Sequence, residues 1–337
     1  MTPSRLQELS VLRAVTYAAL FDYPLTLRQL RDSLDVVADE DTIVRWWRTS
    51  PLLQATVDHR DGLFFPRGRA DLAVTRARRE AFSRQMLERD RRILSLVSAM
   101  PFVRMVALSG SLAHLNAEGV ADLDLFMITS ARRVWSVTLT ILIVGRLLGW
   151  RKRLCMNYVI SERRMAIEPA DLFSANQIIH LRPVMGWTTY LRFLQANPFV
   201  SQWYPNFRAV RSPEPGAPPS RPEAASARPR RSSPDQLRAK AGRSPKPLLE
   251  RVLSLGIAQA AERAARALYG WHLRRRSATW RSIDQVRLEP ECLKLHTSSH
   301  RADTLARFEA AMTAALEMSA TKNTKNHEDQ ISKVLAS

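Results

Sequence analysis

An α+β fold is what this sequence predicts, and three observations carry the prediction. Apolar residues recur at helical spacing through the first fifty positions and then give way to a hairpin signal at Asp61-Gly62. Three short apolar runs, at 103–108, 122–128 and 154–160, have the length of strands and surround one strongly apolar helical stretch. Two amphipathic helical runs, at 247–276 and 302–318, follow near the end of the chain.

Taken in order, Leu9, Leu12, Val15 and Ala19 place a first helix over 6–20, which Phe21-Asp22-Tyr23-Pro24 ends. Thr26 and Gln29 have the spacing of a capping box, and Leu27, Leu30 and Leu34 line the helix behind it. A third helix spans 41–48 and stops at Ser50-Pro51. Strands at 53–57 and 63–65 then flank the Asp-Gly turn. Three short helices and a β-ribbon predict a winged helix over 1–68. Arg45, Arg48 and Arg60 are its candidate phosphate contacts, docking of a partner is the alternative use, and Trp46 and Trp47 read as core.

A charged helix over 70–100 leads into a core unit spanning 69–208. The strand 103–108 ends in Ser109-Gly110-Ser111, and a second strand covers 122–128. A helix at 134–149 and a third strand at 154–160 come next, then helices at 170–180 and 188–196 and an aromatic-rich closure at 197–207. The apolar helix is split by Arg146 and falls short of the roughly 20 residues that cross a bilayer, so no integral membrane segment is expected.

Residues 209–246 are rich in Pro, Ser, Ala and Arg. From 208 to 246 there are ten Lys or Arg against three Asp or Glu, which predicts a disordered basic linker. It reads either as a non-specific contact for nucleic acid and anionic surfaces or as a solvated tether. A C-terminal helical segment at 247–318 and a polar tail at 319–337 complete the chain.

The net charge is +19, with 45% hydrophobic and 25% charged residues, a balance that excludes a wholly disordered chain. Two cysteines, Cys155 and Cys292, exclude a disulfide framework and suit a reducing compartment. Glu8 and Arg13 interrupt any N-terminal signal sequence, and a cytoplasmic location is expected.

The chemistry concentrates between 106 and 125. On a strand, Asp122 and Asp124 project to one side while Leu123, Leu125 and Met127 face a core. Two carboxylates so close repel unless a cation lies between them, and oxygen donors with this spacing suit Mg²⁺ or Mn²⁺. Upstream, Gly110 lets backbone approach a phosphate and Ser111 offers it a hydroxyl.

Val106-Ala107-Leu108-Ser109-Gly110-Ser111 followed by Asp122-Leu123-Asp124-Leu125 resembles the signature of the DNA polymerase beta-like nucleotidyltransferase superfamily. The order of the winged helix, the Gly-Ser turn, Asp-Leu-Asp-Leu-Phe and then Cys155-Met156-Asn157-Tyr158 is similar to prokaryotic nucleotidyltransferase-domain proteins. The resemblance implies a nucleotidyltransferase core with a small mixed sheet, in which Gly110 and Ser111 bind the nucleotide phosphates. It further implies that Asp122 and Asp124 are the metal-binding and catalytic pair. The implied reaction moves an NMP group from an NTP to an unidentified acceptor hydroxyl.

The chain departs from that pattern at Ala121, where the family often has Ser, and after the Gly-Ser turn, where it reads Ala113-His114-Leu115-Asn116. The strand 154–160 also lacks the third carboxylate of active members. Asn157 is its nearest polar residue, and Glu162, Glu168 or Asp171 would take the place in another register. That departure motivates an alternative, a catalytically degenerate nucleotide-sensing or DNA-binding regulator. His114, Arg132, Arg133, Lys152 and Arg153 are further candidate phosphate contacts, each equally readable as surface.

Overall fold

The computed structural model describes residues 2–119, 121–209, 246–253, 257–277, 286–295 and 301–317. Residues 210–245 of the linker expected over 209–246, and the polar tail over 319–337, lie outside them. The chain is α+β with a mixed sheet, as predicted.

The N-terminal unit is built on well-capped short helices. Helix α1 (Arg5–Ala19) starts at Ser4 with a capping box to Gln7. After β1 (Leu25–Thr26), Thr26 and Gln29 form the predicted box on α2 (Leu27–Asp32), and Asp39 caps α3 (Glu40–Thr49). The stretch expected to open the β-ribbon is instead helix α4 (Pro51–Thr56). Ser50 accepts from the Leu53 N–H, Pro51 occupies the first turn where its missing N–H costs nothing, and Leu52 and Leu53 are buried.

The ribbon begins later, as β2 (Val57–Arg60) and β3 (Leu63–Pro66). Asp61 and Gly62 both have positive φ, as a two-residue hairpin requires. The three strands pair antiparallel in the order β1-β3-β2 and enclose Leu12, Leu30, Leu34, Ile43 and Phe64 with Trp46.

The expected long helix is two, α5 (Asp71–Arg89) and α6 (Arg91–Ala99). Asp90 breaks it because its buried carboxylate is held by Arg89 and by Arg153 from far along the chain.

The central sheet has the strand order β7-β4-β5-β6-β9-β8. Strand β4 (Val103–Leu108) leads into the short helix α7 (Gly110–Ala113), and β5 (Leu123–Thr129) runs antiparallel to β4. Helix α8 (Val134–Leu147) crosses over to β6 (Leu154–Ser161), which is parallel to β5. Then come α9 (Leu172–Ile179), β7 (Arg182–Met185), α10 (Trp187–Gln195) and α11 (Phe199–Trp203).

The described C-terminal elements are α12 (Lys246–Leu253), α13 (Ile257–Arg275), β8 (Val286–Glu289), β9 (Cys292–Leu295) and a helix α14 over 301–317. Helices α12 and α13 occupy the stretch expected as one helix over 247–276, of which 254–256 lie outside the described residues. Strands β7, β8 and β9 were not anticipated: each has four residues, too few for a period to show, and Pro183 in β7 is tolerated because that strand is an edge.

Alternation along β5 divides the core in two. Leu123, Leu125 and Met127 face α6 and α8, while Phe126 and Ile128 face α9 to α11. The apolar α8 is covered by α13, whose Glu262 accepts from the Trp135 and Ser136 N–H groups and so caps α8. Among the described residues no helix is long and apolar enough to cross a membrane.

Candidate functional site

The end of β4 and the starts of β5 and β6 meet at one edge of the sheet. Leu108 pairs with Leu125, and the Ser109 N–H donates to the Asp124 carbonyl at 2.9 Å. The chain then turns sharply at Gly110, whose φ is +62°. A Cβ on Gly110 would stand 2.5 Å from Asp124 Oδ2, so a side chain there would have to push this carboxylate aside, at a backbone conformation that favours glycine. Ser111 is exposed on the next residue, and Asn116 ties the turn down: its N–H donates to the Ser111 carbonyl at 2.8 Å.

The structure therefore brings Gly110, Ser111 and Asp124 together. Asp122 lies one residue before β5 and is exposed, whereas Asp124 is half-buried. Opposite Asp124 on β6 stands Cys155. Its thiol is pushed up to about 12, first by burial and then by the charges of Asp124 and Asp122, and it donates a hydrogen bond to the Asp124 carboxylate. Both acids are thus close to one sulfur, which stays protonated at neutral pH. Arg151 acts on Cys155 in the opposite sense and is a cation near the acidic pair.

The third carboxylate is absent from this edge among the described residues. Glu162 sits at the other end of β6, about 23 Å away along a strand, where it accepts from the Ala131 N–H. Asp171 caps α9 and pairs with Arg301, and Glu168 is exposed beside a cis proline. A bulge also intervenes: three residues of β5, Asp124 to Phe126, face four of β6, Cys155 to Tyr158.

Other sequence candidates go elsewhere. Arg132 and Arg133 follow the far end of β5, where Arg133 is buried, donates to the Ala258 carbonyl and stacks on Phe102. Arg153 belongs to Asp90. Lys152 is exposed next to the start of β6. His114 is no surface turn residue: its ring lies 4.2 Å from that of His180 and 5.5 Å from that of Tyr23. Burial holds His114 well below the usual histidine range.

Arg45, Arg48 and Arg60 are exposed, Trp46 is core, and Trp47 is half-buried with its indole N–H donating to the Val57 carbonyl. Cys155 and Arg151 were missed, because no residue-type pattern marks a cysteine or an arginine beside a strand before the register is known.

The donor set fits a hard divalent cation. Two carboxylates stand on one strand end, and Gly110 leaves the Asp124 oxygen clear of any Cβ. No group of three or more His, Cys, Asp or Glu is arranged for a metal among the described residues, so further ligands would be phosphate oxygens and water, the usual company of Mg²⁺. The chain matches no family model, no curated protein and no solved structure.

Proposed function

We propose that this chain is a metal-dependent nucleotidyltransferase that moves an NMP group from an NTP to an acceptor hydroxyl and releases pyrophosphate. The observation that supports the proposal is the contact of the exposed Gly110 turn with Asp124, a backbone that a phosphate could approach beside a carboxylate. The unit over residues 69–208 is then the nucleotidyltransferase core, and the helices and ribbon before it form a winged helix.

In this reading Asp122 and Asp124 hold Mg²⁺ or Mn²⁺, Gly110 admits the phosphates closely, and the Ser111 hydroxyl donates to a phosphate oxygen. Arg151, whose charge acts on Cys155, is a candidate to oppose the charge of a triphosphate. Bound Mg²⁺ supplies charge neutralisation at the transferred phosphoryl group. The test is label transfer from each α-labelled NTP to acceptors in a cell extract.

A second reading is favoured by Cys155. The strand beside Asp124 carries no third carboxylate and faces it with a protonated thiol. That suits a nucleotide-sensing or DNA-binding regulator that holds an NTP without consuming it. The exposed Arg45, Arg48 and Arg60 are its candidate nucleic-acid contacts.

A further inference from the structure

Beside the Gly110-Ser111 turn lies a cavity of about 200 Å³, enclosed by α1, α7, α9 and α14. Its walls are aromatic: Tyr17, Tyr23, Tyr204 and Phe308 are buried, and Phe21 is a half-exposed ring at the rim. One charged side chain reaches it among the described residues, Arg13, and that guanidinium is paired with Asp35 at 2.7 Å. A charged ligand would lose its hydration here without gaining a counter-ion.

Hydroxyls and amides also line it, among them Ser33, Ser111 and Gln177, and two of its polar groups are left as acceptors. His180 Nδ1 lies 2.8 Å from the Asn176 carbonyl, which can only accept, so the proton sits on Nδ1 and Nε2 is left with a lone pair. Asn176 Nδ2 donates to the Tyr204 hydroxyl at 3.2 Å, which leaves Asn176 Oδ1 as an acceptor. Acceptors in an apolar cavity call for a ligand that brings donors. The volume is below the ~300–1,000 Å³ of a drug-sized site, so it suits one ring system and not a whole nucleotide.

We propose that this cavity is a binding site for an uncharged planar ring of nucleobase size that carries N–H or O–H donors, packed against the aromatic walls and hydrogen-bonded by His180 and Asn176. The site goes beyond the transferase reading, because it needs neither the carboxylate pair nor a metal. Burial keeps both imidazoles uncharged at neutral pH, in agreement with a neutral occupant. Two sources supply this chemistry: the base of a nucleotide whose phosphates lie at Gly110, or a separate hydroxylated aromatic molecule.

The test is calorimetric titration of the full chain, in EDTA, with the four ribonucleosides and with 4-methylphenol. We expect at least one probe to bind with a millimolar or tighter Kd. His180→Phe, which keeps ring volume and removes the acceptor, and Phe21→Ala, at a half-exposed rim position, should each weaken it at least tenfold. A nucleoside that, with Mg²⁺ restored, competes with its own NTP identifies the ring as the base, whereas 4-methylphenol binding without competition from any NTP in Mg²⁺ identifies a separate molecule. No binding by any of the five probes, or equal binding by both variants, overturns the proposal. Either failure leaves the transferase reading standing, since that depends on metal and triphosphate.

Discussion

Asp124 Oδ2 lies 2.5 Å from the point where a Cβ on Gly110 would stand, so the carboxylate cannot keep this position if residue 110 carries a side chain. Gly110 also has φ +62°, which adds a backbone cost to any substitution. Gly110→Ala should therefore lower stability by about 1–2 kcal/mol and displace Asp124. Metal-dependent NTP binding should fall at least tenfold by calorimetry. Unchanged affinity would mean that this contact has no part in nucleotide binding.

Cys155 should be a slow nucleophile. Its thiol is raised to about 12 by burial and the two acids, so the reactive thiolate is scarce at pH 8. Alkylation by iodoacetamide, followed by mass spectrometry, should be at least a hundredfold slower than for a free thiol. Asp124→Asn removes one of the charges and should speed it. Labelling at the free-thiol rate would place Cys155 outside the acidic cluster.

Much of this edge of the sheet was legible in the sequence, for reasons that differ by residue. Asp122 and Asp124 were found because period-two alternation separates them from Leu123 and Leu125, and the Gly-Ser turn because it ends an apolar run. Cys155 and Arg151 join them only through the parallel β5/β6 register, and β7 and β9 join the sheet only through non-local pairing. Helix α4 was hidden because Leu52 and Leu53 suit a helix or a strand equally, and the Ser50 cap with Pro51 decides between them. His114 read as an exposed turn residue, because nothing local shows that α9 will bring His180 onto it.

The histidine pair makes stability depend on pH. Burial lowers His180 from its ordinary value to about 4 and lowers His114 as well. Below the unfolded value of ~6.5 the unfolded chain takes up protons that the folded chain refuses, so stability is complete above pH 6.5 and falls as pH drops towards 4. His180 accounts for on the order of 3 kcal/mol of that loss. Urea titrations from pH 7 to 4.5 should show a smaller drop in His180→Phe than in the wild type, and equal slopes would contradict the burial of this ring.

Nucleic-acid binding, if the exposed arginines serve it, must be steeply salt-dependent. Arg45→Ala, Arg48→Ala and Arg60→Ala together should reduce affinity for duplex DNA at least tenfold and flatten the log K against log salt slope by about 3. An unchanged slope in fluorescence-anisotropy titrations would assign this unit to docking of a protein partner.

The central claim is that the carboxylate pair beside Gly110 supports phosphoryl chemistry. Its most direct test is pyrophosphate release from each NTP with Mg²⁺ or Mn²⁺ and a cell extract as acceptor source, comparing the wild type with Asp122→Asn, Asp124→Asn. Metal-dependent release by the wild type and a loss of at least a hundredfold in the double variant are expected, with both proteins equally folded by circular dichroism. Equal release by the two proteins, or none by the wild type in the presence of extract, would contradict it.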